Sequence, residues 1–150
     1  MESRRIVVGV DGSEGSRRAL RWAIAEAAKQ DAVIEAVTVW QSPFGFGDTM
    51  GAHLDEGKIE RAARDNLQKT IAEVAGDGPS AMIEPIVVEG DPAQVLCHQS
   101  AGADLLVMGS LGHSPFTSPA LGSVSLRCAQ HSACPVVIVP KDNPPPSGTG

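Results

Sequence analysis

Residues 104–125 read DLLVMGSLGHSPFTSPALGSVS. The stretch opens on Leu105-Leu106-Val107-Met108, an aliphatic run too short for a helix and apolar enough for a buried strand. Gly109 and Gly112 follow, then an irregular segment with Pro115 and Pro119, then Gly122-Ser123 leading into a new apolar-periodic segment. A strand, a glycine loop and a helix start suit a phosphate. Glycines let the backbone approach closely, and the N–H groups of a first helical turn point at the anion. The spacing Gly-x2-Gly-x9-Gly-Ser matches neither the Walker A pattern nor the Rossmann fingerprint. No lysine or arginine lies between Gly109 and Leu126. An anion here is therefore expected on neutral donors: backbone amides and the hydroxyls of Ser123 and Ser125, with Ser110 and Ser114 in reserve.

Working outward, the chain has 150 residues, enough for a single domain with one sizeable core. Aromatics make up only 3% and tyrosine is absent, so the core must come from Val, Ile, Leu and Ala. Such a core suits a parallel sheet covered by helices on both faces. The formal net charge of −6 repels nucleic acid and anionic membrane and excludes both as expected partners. Arg4-Arg5 and Arg17-Arg18 are pairs, not basic blocks. Cys97, Cys128 and Cys134 are odd in number and lack CxxC spacing; with His98 and His131 they suggest a metal site less readily than isolated thiols. The N-terminus lacks a long apolar stretch, and no run reaches membrane-spanning length. These features predict a reduced, cytoplasmic, soluble protein.

In chain order, Ile6 to Val10 reads as the first, central strand, ending in the turn cluster Asp11-Gly12-Ser13, where Ser13 or Ser16 can cap a helix. That helix runs to about Gln30, with Ala19, Leu20, Ala23, Ala27 and Ala28 on one face. Val33 to Trp40 is a second strand. Residues 41–53 form a glycine-rich connection, either a lid or a disordered segment. Asp55 to Ala75 is the clearest amphipathic helix, with Ile59, Ala63, Leu67, Thr70, Ile71 and Val74 in phase, stopped by Gly76-Asp77-Gly78-Pro79. Met82 to Val88 is a third strand. Asp91 caps a short helix with Pro92 in its first position and Val95 and Leu96 inward, ending near Gly102. Leu105 to Met108 is the fourth strand, Ser123 to His131 the last helix, Val136 to Val139 the fifth strand. The proline-rich residues 141–150 read as a disordered tail to a domain spanning 1–140.

Strands alternating with helices predict an α/β fold: a three-layer, doubly wound, five-stranded parallel sheet. Right-handed crossovers and the order 3-2-1-4-5 set strands one and four side by side at the switch point, where a crevice opens beyond their carboxyl ends. Residues 10–13 and 109–114 meet there for a topological reason. Asp11 can accept from an adenine amine or a ribose hydroxyl, or simply form an Asx turn. Gly109, Gly112 and Gly122-Ser123 favour phosphate contact. His113 is as well placed in solvent as on a phosphate, and Ser123 and Ser125 double as helix caps.

These motifs, in this order and at these distances, resemble the universal stress protein family. The resemblance rests on Val7-Val8-Gly9-Val10-Asp11-Gly12-Ser13, on residues 103–110, on Gly112 and Gly122-Ser123-Val124-Ser125, and on Cys134-Pro135-Val136-Val137-Ile138-Val139. It spans residues 4–140 and implies an adenine nucleotide alpha hydrolase-like fold. It also implies ATP held at positions matching Asp11, Val39 (through its backbone), Gly109, Gly112, Gly122 and Ser123. The full candidate set is Val10, Asp11, Gly12, Ser13, Val39, Met108, Gly109, Gly112, His113, Gly122, Ser123, Val124 and Ser125. Leu111 and Pro115 depart from the basic or glycine residues of many relatives, which brings in AMP or a cyclic nucleotide as alternatives; Mg²⁺ with ATP stays open. The resemblance further implies a homodimer through Pro135 to Val139, an edge strand with aliphatics on both faces, and a regulatory protein partner.

Three functions follow from this reading. The first is a nucleotide-dependent regulatory factor in a stress response. The second is a slow ATPase or phosphotransferase, held back because no cation sits in the loop to neutralise a γ-phosphate. The third is a dimeric interaction module that needs no nucleotide.

Overall fold

The aliphatic strands lack polar alternation and so demand cover on both faces. The computed structural model, which describes residues 4–42, 56–76, 82–110 and 122–140, supplies it. Strands β1 (Arg4–Gly9), β2 (Ala32–Trp40), β3 (Ile83–Glu89), β4 (Leu105–Gly109) and β5 (Val136–Val139) form one sheet in the order β3-β2-β1-β4-β5. Every pairing is parallel. Helices α1 (Glu14–Gln30) and α2 (Glu56–Ala75) cover one face; α3 (Pro92–Gln99) and α4 (Ser123–His131) cover the other. The predicted architecture and strand order are those observed.

Alternate residues of the central strands feed the two cores. Ile6, Val8, Ile34, Ala36 and Val107 pack beneath Leu20, Ala23 and Ile24 of α1 and Leu67 of α2. Val7, Val37, Leu106 and Met108 pack beneath Ala93 and Leu96 of α3 and Cys128 of α4. Full burial of each aliphatic side chain contributes about 1.5–3 kcal/mol, so the paired centre of β1 and β4 anchors both layers.

The boundaries shift slightly. Strand β1 ends at Gly9, although the Val10 N–H still donates to the Val37 carbonyl at 2.8 Å. Strand β3 starts one residue late, leaving Met82 71% exposed. On α1, Ile24 replaces Ala28 in the buried face, and Ala28 is exposed. Helix α3 stops at Gln99, short of Gly102, because the Ser100 hydroxyl donates to the Cys97 carbonyl at 2.7 Å and closes the last turn. Residues 43–55, 77–81, 111–121 and the tail 141–150 lie outside the described residues.

Charge composition gave Arg5 no special role, yet it ties three strands together at the sheet's amino edge. Its guanidinium donates to Glu35 of β2 at 2.6 Å and to the Ala101 carbonyl ahead of β4 at 2.7 Å. Its backbone N–H donates to the Asp104 carboxylate, and the Asp104 N–H returns a bond to the Arg5 carbonyl, each at 2.8 Å. Hydrogen-bonded charge pairs in a partly shielded site stabilise more than exposed ones.

At the opposite edge, α1 is pressed against the end of β4. A Cβ on Gly109 would lie 2.7 Å from the Gly15 carbonyl carbon, inside backbone that cannot move alone. Gly109→Ala is therefore expected to displace the first turn of α1 and destabilise the fold by about 1–3 kcal/mol, read as a lower urea midpoint at unchanged slope.

Candidate functional site

The crevice at the switch point is a cavity of about 250 Å³. It is lined by Gly9, Val10, Asp11, Ser13, Ser16, Val37 and Val39 from the β1 and β2 ends and α1, by Pro92 and Leu96 from α3, by Met108 and Gly109 from β4, and by Gly122–Ser125 from α4. Ten of the predicted residues are thus brought together: Val10, Asp11, Ser13, Val39, Met108, Gly109, Gly122, Ser123, Val124 and Ser125. Gly12 faces a neighbouring hollow of about 430 Å³ that shares Val10, Asp11 and Val39 with the first. Gly112 and His113 lie outside the described residues.

The β1–α1 turn is held by its own side chains. The Asp11 carboxylate accepts from the Ser13 N–H at 2.9 Å and from the Ser13 hydroxyl at 2.5 Å, so the Asx turn is formed. Gly12, at φ 83°, takes the left-handed conformation that lets the chain reverse there. Ser13 then caps α1, its hydroxyl oxygen accepting from the Ser16 N–H at 3.2 Å. Ser16 closes the motif by accepting from the Asp11 N–H at 3.3 Å. Thr38 fixes the other side of the turn, donating to the Val10 carbonyl at 2.8 Å. Asp11 is left exposed at the cavity rim.

The opposite wall differs in kind. Helix α1 is capped by Ser13 and α3 by Asp91, whose carboxylate accepts from the Gln94 N–H at 3.0 Å. The residue at the start of α4 is Gly122, with no side-chain cap bond. Neither Ser123 nor Ser125 is the cap; they stand at the first and third helical positions. The Ser125 hydroxyl donates to the Gly109 carbonyl at 2.6 Å, so its proton is spent on strand β4. What α4 presents to the cavity is the first-turn N–H groups of Ser123, Val124 and Ser125, which helix geometry leaves without intrahelical acceptors, together with the exposed Ser123 hydroxyl. The positive end of the helix dipole lies there as well.

Val10, Val37, Val39, Leu96 and Met108 make the remaining walls apolar, and no Lys, Arg or His lines the cavity among the described residues. Arg17 and Lys69 line the adjoining hollow, where Glu73 engages them at 2.7 Å and 4.0 Å, and Arg127 of α4 is paired with Asp91 at 3.2 Å. Gly9, Ser16, Val37, Pro92 and Leu96 were not expected at the site. Leu96 could be read as inward-facing, but its place against Gly9 (a Cβ there would meet Leu96 Cδ1 at 3.0 Å) follows only from the α3 crossover.

This site sits in a recognisable chain. A family model described as the universal stress protein family matches residues 2–140. The chain belongs to that family. It is 33% identical to universal stress protein YxiE of Bacillus subtilis, over 90% of this chain and 97% of that one. It is 31% identical to a universal stress protein of Mycobacterium tuberculosis, over 91% of this chain but 48% of the relative, so it spans about half the length of the mycobacterial proteins it matches. Among solved structures, a universal stress protein in complex with cAMP is 30% identical, with a TM-score of 0.60 over 91% of this chain and 96% of the other. No helix among the described residues is long and apolar enough to cross a membrane.

The cysteines fall beside the site, not in it, and no group of three or more metal-ligating side chains occurs among the described residues. All three thiols are free. Burial, reinforced by the neighbouring Cys97, pushes the Cys128 thiol up to about 12. At mildly alkaline pH Cys128 therefore stays protonated and is shielded from reagents in bulk solution. Brief iodoacetamide treatment of the native, reduced protein is expected to carboxamidomethylate Cys97 and Cys134 while sparing Cys128 until denaturant is added, as read by peptide mass.

Proposed function

We propose that the crevice binds an adenine nucleotide and that the protein acts as a nucleotide-dependent regulatory factor of the stress response, with ATP as the first candidate and AMP or a cyclic nucleotide as alternatives. One observation carries the reading: the only one of α1, α3 and α4 without a side-chain cap opens its first turn onto a cavity whose walls beyond the Asp11–Ser13–Ser16 turn are apolar. Free first-turn N–H groups suit a phosphate, and the valines, Leu96 and Met108 suit a base. Asp11 at the rim can accept from a ribose hydroxyl while keeping its turn. Binding of cAMP by a relative of the same fold supports the assignment.

The lining favours holding over turnover. Phosphoryl transfer needs cationic stabilisation of the γ-phosphate, and the described lining offers neutral donors and one carboxylate, Asp11. Asp11 is the group to which Mg²⁺ accompanying ATP would be drawn. We further place the chain in the cytoplasm, where its three thiols stay reduced, and assign β5 as the strand through which two copies pair. It closes one edge of the described sheet with four half-buried aliphatics, Val136–Val139. Light scattering of the purified chain is expected to give twice the monomer mass; a monomer at high concentration overturns that assignment.

The test of the site is Gly122→Val. Gly122 has φ −63° and ψ 160°, a conformation open to any residue, so the fold tolerates the change while the side chain intrudes on the phosphate position. Calorimetric titration of the wild type with ATP, AMP and cAMP is expected to show binding, and the variant to lose at least tenfold in affinity with an unaltered circular dichroism spectrum. Equal affinity in both proteins overturns the placement of the site.

A further inference from the structure

The two helices that wall the crevice also carry a pair of thiols against each other. Cys97 of α3 and Cys128 of α4 face across the helix–helix contact with their sulfurs 3.8 Å apart. Cys128 is fully buried, while Cys97 is half-buried and reachable by a small oxidant. The third thiol, Cys134, packs against the same cluster, but its sulfur lies 3.8 Å from the Ser132 hydroxyl and 3.5 Å from the Pro135 carbonyl. Two sulfurs at van der Waals contact need only small side-chain and helix adjustments to reach the bond length of about 2.0 Å that a disulfide requires.

We infer that Cys97 and Cys128 form a peroxide-responsive dithiol, with Cys97 the residue first oxidised and Cys128 the residue that resolves it. The Cys97 thiolate attacks one oxygen of a hydroperoxide such as H₂O₂. The O–O bond breaks, hydroxide leaves and takes up a proton, and Cys97 becomes a sulfenic acid. The Cys128 sulfur then attacks the Cys97 sulfur. The S–O bond breaks, and the departing hydroxyl carries off the Cys128 proton as water. Two thiols and one peroxide give one disulfide and two waters; the protein is oxidised and the peroxide reduced. The order of events follows from burial: the shielded Cys128 is kept as a thiol and is inaccessible to bulk oxidant, whereas Cys97 is accessible.

The bond would staple α3 to α4 directly behind the crevice. Leu96 precedes Cys97 and lines one wall; Ser125 lies three residues before Cys128, one helical turn away, and lines the facing wall. Drawing the helices together narrows the space between Leu96 and the first turn of α4. Resting on the nucleotide reading above, oxidation should therefore lower nucleotide affinity, and reduction should restore it.

The experiment treats the full chain with stoichiometric H₂O₂, quenches with iodoacetamide, and maps peptides without reduction. The expected result is loss of two hydrogen masses per chain and a Cys97–Cys128 cross-linked peptide that dithiothreitol releases. Cys134→Ser should leave this intact, and Cys97→Ser should abolish it. Cys128→Ala, checked for folding by circular dichroism, should divert Cys97 to sulfenic and sulfinic acid. A Cys97–Cys134 link, interchain disulfides only, or over-oxidised Cys97 beside untouched Cys128 in the wild type would overturn the proposal. Titration of oxidised and reduced protein with ATP, AMP and cAMP should show at least a threefold weaker affinity after oxidation for each nucleotide the reduced protein binds. Equal affinities overturn the coupling to the crevice. Absence of binding by the reduced protein overturns the nucleotide reading, while the peptide map still decides the dithiol.

Discussion

The pairing of β1 with β4 is the constraint on which the rest of the structure depends. Ile6, Val7 and Val8 lie in register with Leu105, Leu106 and Val107. Alternate members of this block face opposite helical layers, so one apolar patch supports α1 on one side and α3 and α4 on the other. Because β1 continues leftward into β2 through α1 while β4 continues rightward into β5 through α4, the two connections leave on opposite faces. A gap between them is unavoidable. The crevice is thus a consequence of strand order, before any side chain specialises it.

Specialisation comes from two ends that solve the same problem differently. At the start of α1, Asp11, Ser13 and Ser16 hydrogen-bond to one another across a tight turn. At the start of α4, Gly122 leaves the first turn without a side-chain acceptor. Unmet N–H groups are costly in a buried setting and useful where an anion can reach them. Gly109 joins the two ends: it admits the Gly15 backbone on one side, and its carbonyl takes the Ser125 hydroxyl on the other. A residue that sequence logic assigns to a phosphate therefore also has a packing role, and the two are compatible because both exploit the missing side chain.

Helices α3 and α4 link the crevice to the sulfur chemistry behind it. They meet each other over the β1–β4 block, contribute residues to both cavity walls, and hold Cys97 against Cys128. Any change in their separation is felt on the cavity side, because close-packed elements transmit displacement. The acidic chain with its neutral anion site fits a role in holding a small ligand more readily than one in steering a large polyanion.

The element order, the parallel sheet and the meeting of Asp11 with Gly109 are legible along the chain, since aliphatic runs, caps and crossover handedness are local or topological rules. The helix start at Gly122-Ser123 is legible as well, through glycine and serine at the head of an apolar-periodic segment. Contacts that depend on how distant elements approach are set by packing alone. The clamp made by Arg5 needs β2 and the turn before β4 alongside β1. The committed proton of Ser125 needs the end of β4 within reach of α4. Leu96 and Pro92 enter the site, and Cys97 meets Cys128, because the α3 crossover lays one short helix across the sheet beside α4. No spacing along the chain encodes these contacts: 31 positions separate the two cysteines, and packing alone sets the distance between their sulfurs.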